Sequence, residues 1–297
     1  MARKVLVTGA CGLIGSELCK QLREQGYFVV GVDNGFRSSH FTNCGDFVKE
    51  SIEKFVLTVP NVFDYIFHMG NINGTKYFYD IPNQVLENNI GADFAIFNYA
   101  KQNSKCKLIY ASSSEVITGT RNYPTDEEKD VNIANIHNPR WSYRVGKIVG
   151  ENYLINSTLN YLIIRFFNVY SENSEGGHFV KDLIEKIKSS NFELIGAKET
   201  RCFCYVADAV DAVINIKDIS NEIINVGSDE EIYILDAANI IANSLNIKNI
   251  KWKTKKRLEG SVKRRKPDLS LLKKHYPCYD PRSFAKGISK IIEMEKK

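Results

Sequence analysis

The chain begins with a short apolar run, Val5-Leu6-Val7, that breaks into glycines between Gly9 and Gly15. Ile14, Leu18 and Leu22 then recur at the i, i+4, i+8 spacing of one helix face. Gly26 ends that helix, and Phe28-Val29-Val30-Gly31-Val32 reads as a second buried strand closing on Asp33. Further apolar runs at Tyr65-Ile66-Phe67, Lys107-Leu108-Ile109-Tyr110 and Leu162-Ile163-Ile164 are separated by helical patterns near 84–103 and 141–156. Strands alternating with helices predict an α/β doubly wound fold, a parallel sheet with helices on both faces.

After Asn168 the pattern loosens. Polar, glycine-containing residues 171–177 precede a helix near 178–190, a strand at Glu193-Leu194-Ile195 and another from Arg201 to Val206. A helix near 207–217 and the strand Ile223-Ile224-Asn225-Val226 return to the main sheet. A helix near 234–245, a basic stretch and a helix after Ser283 follow. We expect one domain from residues 1–169 plus about 203–227, and a smaller, interleaved lobe from about 170–202 and 228–297. No repeat or low-complexity segment interrupts this plan.

Composition adds limits. The 297 residues, 43% hydrophobic and 25% charged, are those of an ordinary globular chain. No apolar run approaches the roughly 18–20 residues needed to span a bilayer. Met1-Ala2-Arg3-Lys4 runs straight into the first strand without the apolar region of a signal peptide, so a cytoplasmic, non-membrane protein is expected. Seven cysteines (11, 19, 44, 106, 202, 204 and 278) form no Cys-x-x-Cys pair and no zinc-ligand spacing, which predicts reduced thiols and no metal. Residues 251–266 hold nine Lys/Arg against Glu259, a local +8 within a net +5 that leaves −3 for the rest. That is a basic patch on a mildly acidic protein rather than a nucleic-acid footprint, although Trp252 within it keeps an oligonucleotide binder in view.

The candidate chemistry sits at strand ends. Gly9-Ala10-Cys11-Gly12-Leu13-Ile14-Gly15 is a G-x-x-G-x-x-G turn between a strand and a helix. Glycines there allow close approach of a pyrophosphate to the helix amino end, with Leu13 and Ile14 beside it. Asp33, followed by Asn34, lies where a carboxylate binds the ribose hydroxyls of NAD. A 2′-phosphate would meet Asp33, and Arg37 lies too far along to favour NADP. Asp46, with Phe47 next to it, falls where a third strand should end, so it is either an adenine contact or an exposed turn residue. Ser112-Ser113-Ser114-Glu115 follows the strand ending at Tyr110, where open α/β sheets place ligands. Tyr143 and Lys147 are four apart and share a helix face. A nearby ammonium favours the phenolate of a tyrosine whose ordinary pKa is about 10.

With these motifs the sequence resembles the extended short-chain dehydrogenase/reductase family, specifically its NAD-dependent nucleotide-sugar epimerases, dehydratases and decarboxylases. The resemblance extends over nearly the whole chain. It also rests on Asn88-x-x-Gly91, Pro139-Arg140-Trp141-Ser142-Tyr143-x-x-x-Lys147, Arg165-Phe166-Phe167-Asn168-Val169-Tyr170, Arg201-x-Phe203-x-Tyr205-Val206 and Arg265-Lys266-Pro267-Asp268. It implies a Rossmann-type NAD domain contacted by Gly9, Gly12, Leu13, Ile14, Gly15, Asp33, Asn34, Asp46, Phe47, Asn88, Tyr143 and Lys147. Tyr143 would take the sugar O4 proton, Ser113 would hydrogen-bond O4, and Lys147 would hold the nicotinamide ribose. Ser113, Ser114, Asn168, Arg201 and Arg265 would contact a nucleotide-diphosphate sugar. A homodimer through the helices near 84–103 and 141–156 is implied as well. Two loops depart from the family: Val116-Ile117-Thr118 with Gly119 one later, and Tyr170-Ser171-Glu172.

Oxidation at C4 acidifies the C5 proton and loosens a carboxylate there. Glu115 resembles the decarboxylase and dehydratase pattern, in which it would act as a C5 base or orient the sugar. A simple 4-epimerase and a non-catalytic NAD-binding regulator are the alternatives.

Overall fold

The computed structural model describes residues 2–36, 45–117, 123–128, 136–172, 174, 178–256 and 260–295. Arg37, Thr118, Gly119, Glu259 and part of the 171–177 loop, all singled out above, lie outside them. The strands are β1 (Lys4–Thr8), β2 (Phe28–Asp33), β3 (Asp46–Lys49), β4 (Tyr65–His68), β5 (Lys107–Ser113), β6 (Tyr161–Phe166) and β7 (Val169–Tyr170). They continue with β8 (Glu193–Ile195), β9 (Thr200–Cys202), β10 (Cys204–Tyr205), β11 (Glu222–Val226), β12 (Glu231–Tyr233) and β13 (Lys253–Lys255). The helices are α1 (Leu13–Glu24), α2 (Ile52–Thr58), α3 (Thr75–Asp80), α4 (Pro82–Ala100) and α5 (Trp141–Ile155). After them come α6 (Phe179–Lys188), α7 (Val206–Ile216), α8 (Ile234–Ser244), α9 (Ser270–His275) and α10 (Phe284–Met294).

The central sheet is parallel, in the order β11-β6-β5-β4-β1-β2-β3. Every residue of β4 and β6 is buried, as expected of strands covered on both faces. The chain leaves β1 for β2 on one side and returns to β4 on the other. The crevice at their carboxyl ends is therefore the switch point where open sheets bind ligands. On one face, Phe55, Ile96, Phe97 and Leu154 form a core beneath α2, α4 and α5. On the other, Leu18, Leu22, Val210 and Val213 of α1 and α7 join a core that runs on through Phe203, Ile241 and Phe284. The smaller lobe thus shares its core with the sheet.

Two predicted boundaries move. β5 runs on through Ser113, so Ser112 and Ser113 are strand residues rather than loop. The single strand expected from Arg201 to Val206 splits at Phe203, with β9 pairing antiparallel to β12 and β10 parallel to β7. Phe203 turns into the core against Tyr170, Phe179 and Phe284, and that packing divides the strand. Among the described residues no helix is long and apolar enough to cross a membrane, and no His/Cys/Asp/Glu group is placed to hold a metal. In the basic stretch, Lys255 pairs with Glu193 and Arg264 with Glu231. Trp252 packs edge-on to Phe192 and donates to Asn239, so its indole serves the fold.

Candidate active site

The chain turns sharply after β1. Gly9 has φ 66°, and a Cβ there would lie 2.7 Å from the Gly70 Cα; a Cβ on Gly15 would lie 2.1 Å from the Gly9 carbonyl oxygen. Neither position accepts a side chain. Gly12, Leu13, Ile14 and Gly15 therefore present the amino end of α1 to a cavity of about 740 Å³. Asp33 closes β2 at the rim, accepting the N–H groups of Cys11 (3.0 Å) and Gly35 (2.8 Å), and Asn34 follows it. A side-chain-free cradle, a helix amino end and a carboxylate at this spacing fit a dinucleotide.

Two expected cofactor contacts are displaced. Asp46 starts β3 instead of ending it: it pairs with Val30, whereas Lys49 pairs with Asp33. It stands level with the middle of β2 on the edge strand, and Phe47 packs on the main core. Neither borders the cavity, whose wall beyond β3 is Ser51, Ile52 and Glu53. Asn88 is exposed at the cavity margin. One residue, a turn of roughly 100° on a helix, brings Asn89 inward instead. Its Oδ1 accepts the Ile72 N–H (2.7 Å) and its Nδ2 donates to the Ile72 carbonyl (3.1 Å), which fixes the loop after β4 against the cavity.

Ser113, Tyr143 and Lys147 all line the cavity. Tyr143 is buried and stacks on Phe78 with ring centroids 4.9 Å apart. Lys147 Nζ lies 5.9 Å from the Tyr143 ring centre and donates to Asn71 Oδ1 and the Ala111 carbonyl. Burial pushes the Lys147 pKa down to about 8, against the opposing pull of Asp93 and Glu151. Ser113 Oγ accepts the Glu115 N–H (3.2 Å), which directs the chain into the next turn.

Beyond them lies a cluster of arginines. Glu115 accepts from Arg140 (2.6 Å) and Arg265 (2.9 Å), and all three are largely buried. Burial alone would raise the Glu115 pKa, but the two guanidiniums outweigh it and hold the carboxyl well below the usual range. Arg144 lies over the Trp141 ring (4.1 Å) and donates to the Val116 carbonyl. Arg265 arrives on a strap, residues 260–268. Thr200 and Thr125 bind the strap through the Lys263 and Lys266 carbonyls. Arg201 borders the cavity as expected, yet its guanidinium donates to Glu199, Ser261 and the Val262 carbonyl, so it also ties down that strap. Asn168, at φ 40°, keeps its Oδ1 buried with no hydrogen-bond partner among the described residues. Its amide is left over by the fold. Ser114 is buried on the same wall.

The structure therefore gathers Gly9, Gly12, Leu13, Ile14, Gly15, Asp33, Asn34, Asn88, Ser113, Ser114, Glu115, Tyr143, Lys147, Asn168, Arg201 and Arg265 around one cavity. Asn71, Asn89 and Arg140 join them without having been assigned a role from the sequence. The signal for Asn89 was present: polar residues at 89 and 93 fall on the apolar face of α4.

A family profile described as the NAD dependent epimerase/dehydratase family matches residues 5–227. UDP-N-acetyl-alpha-D-glucosaminuronate decarboxylase of Bacillus cytotoxicus is 30% identical, over 99% of this chain and 98% of that one. Among solved structures, UDP-glucose 4-epimerase of Thermotoga maritima superposes with a TM-score of 0.88 at 22% identity, over 99% and 98% of the two chains. UDP-N-acetylglucosamine 4-epimerase of Methanobrevibacter ruminantium gives 0.84 at 25%, over 100% and 99%. The fold, the glycine cradle and the match over most of its length make this chain a member of the NAD-dependent nucleotide-sugar epimerase/dehydratase family.

Proposed function

We propose that this enzyme oxidises a nucleotide sugar at C4, and that the sugar carries a carboxylate on C5 which then leaves as carbon dioxide. The observation that carries the second half is the convergence of Arg140 and Arg265 on Glu115, beside Ser113 and Tyr143. An anionic sugar meets two guanidiniums there, and their fork geometry suits a carboxylate. The decarboxylase relative of Bacillus cytotoxicus supports the same reading.

Tyr143 takes the C4 hydroxyl proton, Ser113 holds O4 in place, and the Lys147 charge favours the phenolate. Bound NAD supplies the hydride acceptor. Once C4 is a ketone, the C5 carboxylate is β to it. The electrons of the breaking carbon–carbon bond then pass to the carbonyl oxygen, carbon dioxide leaves, and C5 takes a proton. Asn168, with its unpartnered Oδ1, and Arg201 would contact the diphosphate, a role that their place on the cavity wall supports.

Plain 4-epimerisation is the second reading. A Glu115 held ionised by two arginines is a weak base for a C5 proton, which argues against dehydration and leaves chemistry confined to C4 as the alternative to decarboxylation. Mass spectrometry of products formed with NAD and a panel of UDP-, GDP- and dTDP-sugars, UDP-glucuronate and its N-acetylated analogue included, separates the two. Loss of carbon dioxide from a uronate supports the proposal. An isomer of unchanged mass supports the epimerase, and no product from any sugar refutes both. The same reading includes a homodimer through α4 and α5, which pack side by side and leave Ile155 48% exposed.

A further inference from the structure

Beneath the Tyr143–Lys147 pair lies a buried polar cluster that the proposed chemistry does not use directly. Asp93 on α4 is almost fully buried, on the helix face that also carries Val85, Asn89, Ala92, Ile96 and Phe97. Its Oδ1 accepts from His68 Nε2 (2.9 Å) and Asn71 Nδ2 (3.0 Å), and its Oδ2 from the Tyr110 hydroxyl (2.6 Å). Three donors on one carboxylate make a site built for a negative charge. The His68 Nδ1 lies 2.7 Å from Thr8 Oγ1, which accepts the Gly70 N–H and so has its own proton to give.

Lys147 reaches this cluster by two routes. Its ammonium donates to Asn71 Oδ1, whose amide nitrogen donates to Asp93, and it lies 3.4 Å from the Tyr110 hydroxyl, which also donates to Asp93. The groups facing Lys147 are Asn71 after β4, Tyr110 and the Ala111 carbonyl on β5, Asp93 on α4, and Tyr143 and Glu151 on its own helix. Glu151 is already spent. It takes both arms of Arg165 (2.8 and 2.6 Å) and the Ser112 hydroxyl. The charge on Asp93 is left for the lysine.

We propose that Asp93 is a positioning residue, the buried counter-charge that keeps Lys147 protonated and aimed past Asn71 at the tyrosine. The proposal rests on the reading that Lys147 serves Tyr143 as a cation. Burial alone favours the neutral amine, and Asp93 opposes it. Burial would likewise raise the Asp93 pKa, but the Lys147 charge, the hydrogen bond and electrostatic pull of His68, and the Tyr110 hydrogen bond more than offset it. Gly150 belongs to the same arrangement: a Cβ there would lie 2.2 Å from the Tyr110 hydroxyl and 3.1 Å from Asp93.

The test is Asp93→Asn, which keeps the shape and removes the charge. Lys147 then loses its proton at lower pH, so the alkaline limb of the turnover profile moves down by about one pH unit or more. Activity falls at least tenfold at pH 8.5 and much less at pH 6, while NAD affinity changes little. Tyr110→Phe, which removes a bridging hydroxyl without removing charge, leaves that limb in place. A uniform loss at every pH would make Asp93 a packing residue and overturn the proposal. A thermal double-mutant cycle with Lys147→Met tests the same pairing without any turnover. Each single variant strands a buried charge, so the double variant loses less melting temperature than the two singles together. Additive losses overturn the proposal even in an active enzyme. A coupled cycle together with an active Tyr143→Phe variant would instead sink only the catalytic reading.

Discussion

Glu115→Gln isolates what the arginine cluster does. The substitution keeps size and one oxygen acceptor but removes the charge between Arg140 and Arg265. Stranding one side of a buried ion pair costs about 3–5 kcal/mol. Glutamine still accepts from one guanidinium, so about 2–3 kcal/mol is expected at pH 7. For a chain of 297 residues that is a fall of roughly 3–5 °C in melting temperature. The folded Glu115 pKa is depressed, so its contribution is complete above the unfolded value of about 4.3 and is lost as pH falls below it. The gap between wild type and variant therefore stays constant from about pH 5.5 to 8, and by pH 3.5 about 1 kcal/mol of it is gone. Thermal unfolding followed by far-ultraviolet circular dichroism measures this directly. UDP-glucuronate raises the melting temperature of the variant more than that of the wild type, because its carboxylate replaces the missing charge. Equal stability at pH 7, or a gap unchanged at pH 3.5, would refute the assignment of Glu115 as the anchor of the two arginines. Unchanged products and rates would further remove it from any C5 chemistry.

Tyr143→Phe is expected to reduce turnover at least a thousandfold while NAD still binds, as read by rapid kinetics and cofactor titration; substantial residual activity would remove Tyr143 as the base. Gly15→Ala drives a methyl into the Gly9 carbonyl and lowers NAD affinity tenfold or more. Gly26→Ala, by contrast, has nothing within 4 Å and only a φ of 83° to strain. It costs about 1 kcal/mol and leaves NAD binding alone. Ile155→Asp, on the exposed side of α5, yields a folded monomer by sedimentation if α4 and α5 form the dimer seam. An unchanged mass at micromolar concentration would place the seam elsewhere or show that none forms.

The amino-acid sequence by itself determined the parts that depend on local geometry. The glycine turn, Asp33 at the end of β2, and Tyr143 one helical turn from Lys147 are short-range relations, and period and spacing report them directly. The alternation of strands and helices carried the doubly wound sheet for the same reason. What tertiary structure alone decided is which residues face one another across the cavity. No local signal marks where the strand around Asp46 starts, and pairing with β2 makes Asp46 its first residue rather than its last. Asn88 and Asn89 both border the cavity, and packing decided that the second holds the loop after β4. Glu115, Arg140 and Arg265 are 25 and 150 residues apart along the chain, and no local pattern links them. The Asp93 cluster draws on β1, β4, α4 and β5, with α5 above it. Buried charges are satisfied by partners from wherever the fold brings them, so their meaning is set by three-dimensional proximity and not by sequence distance.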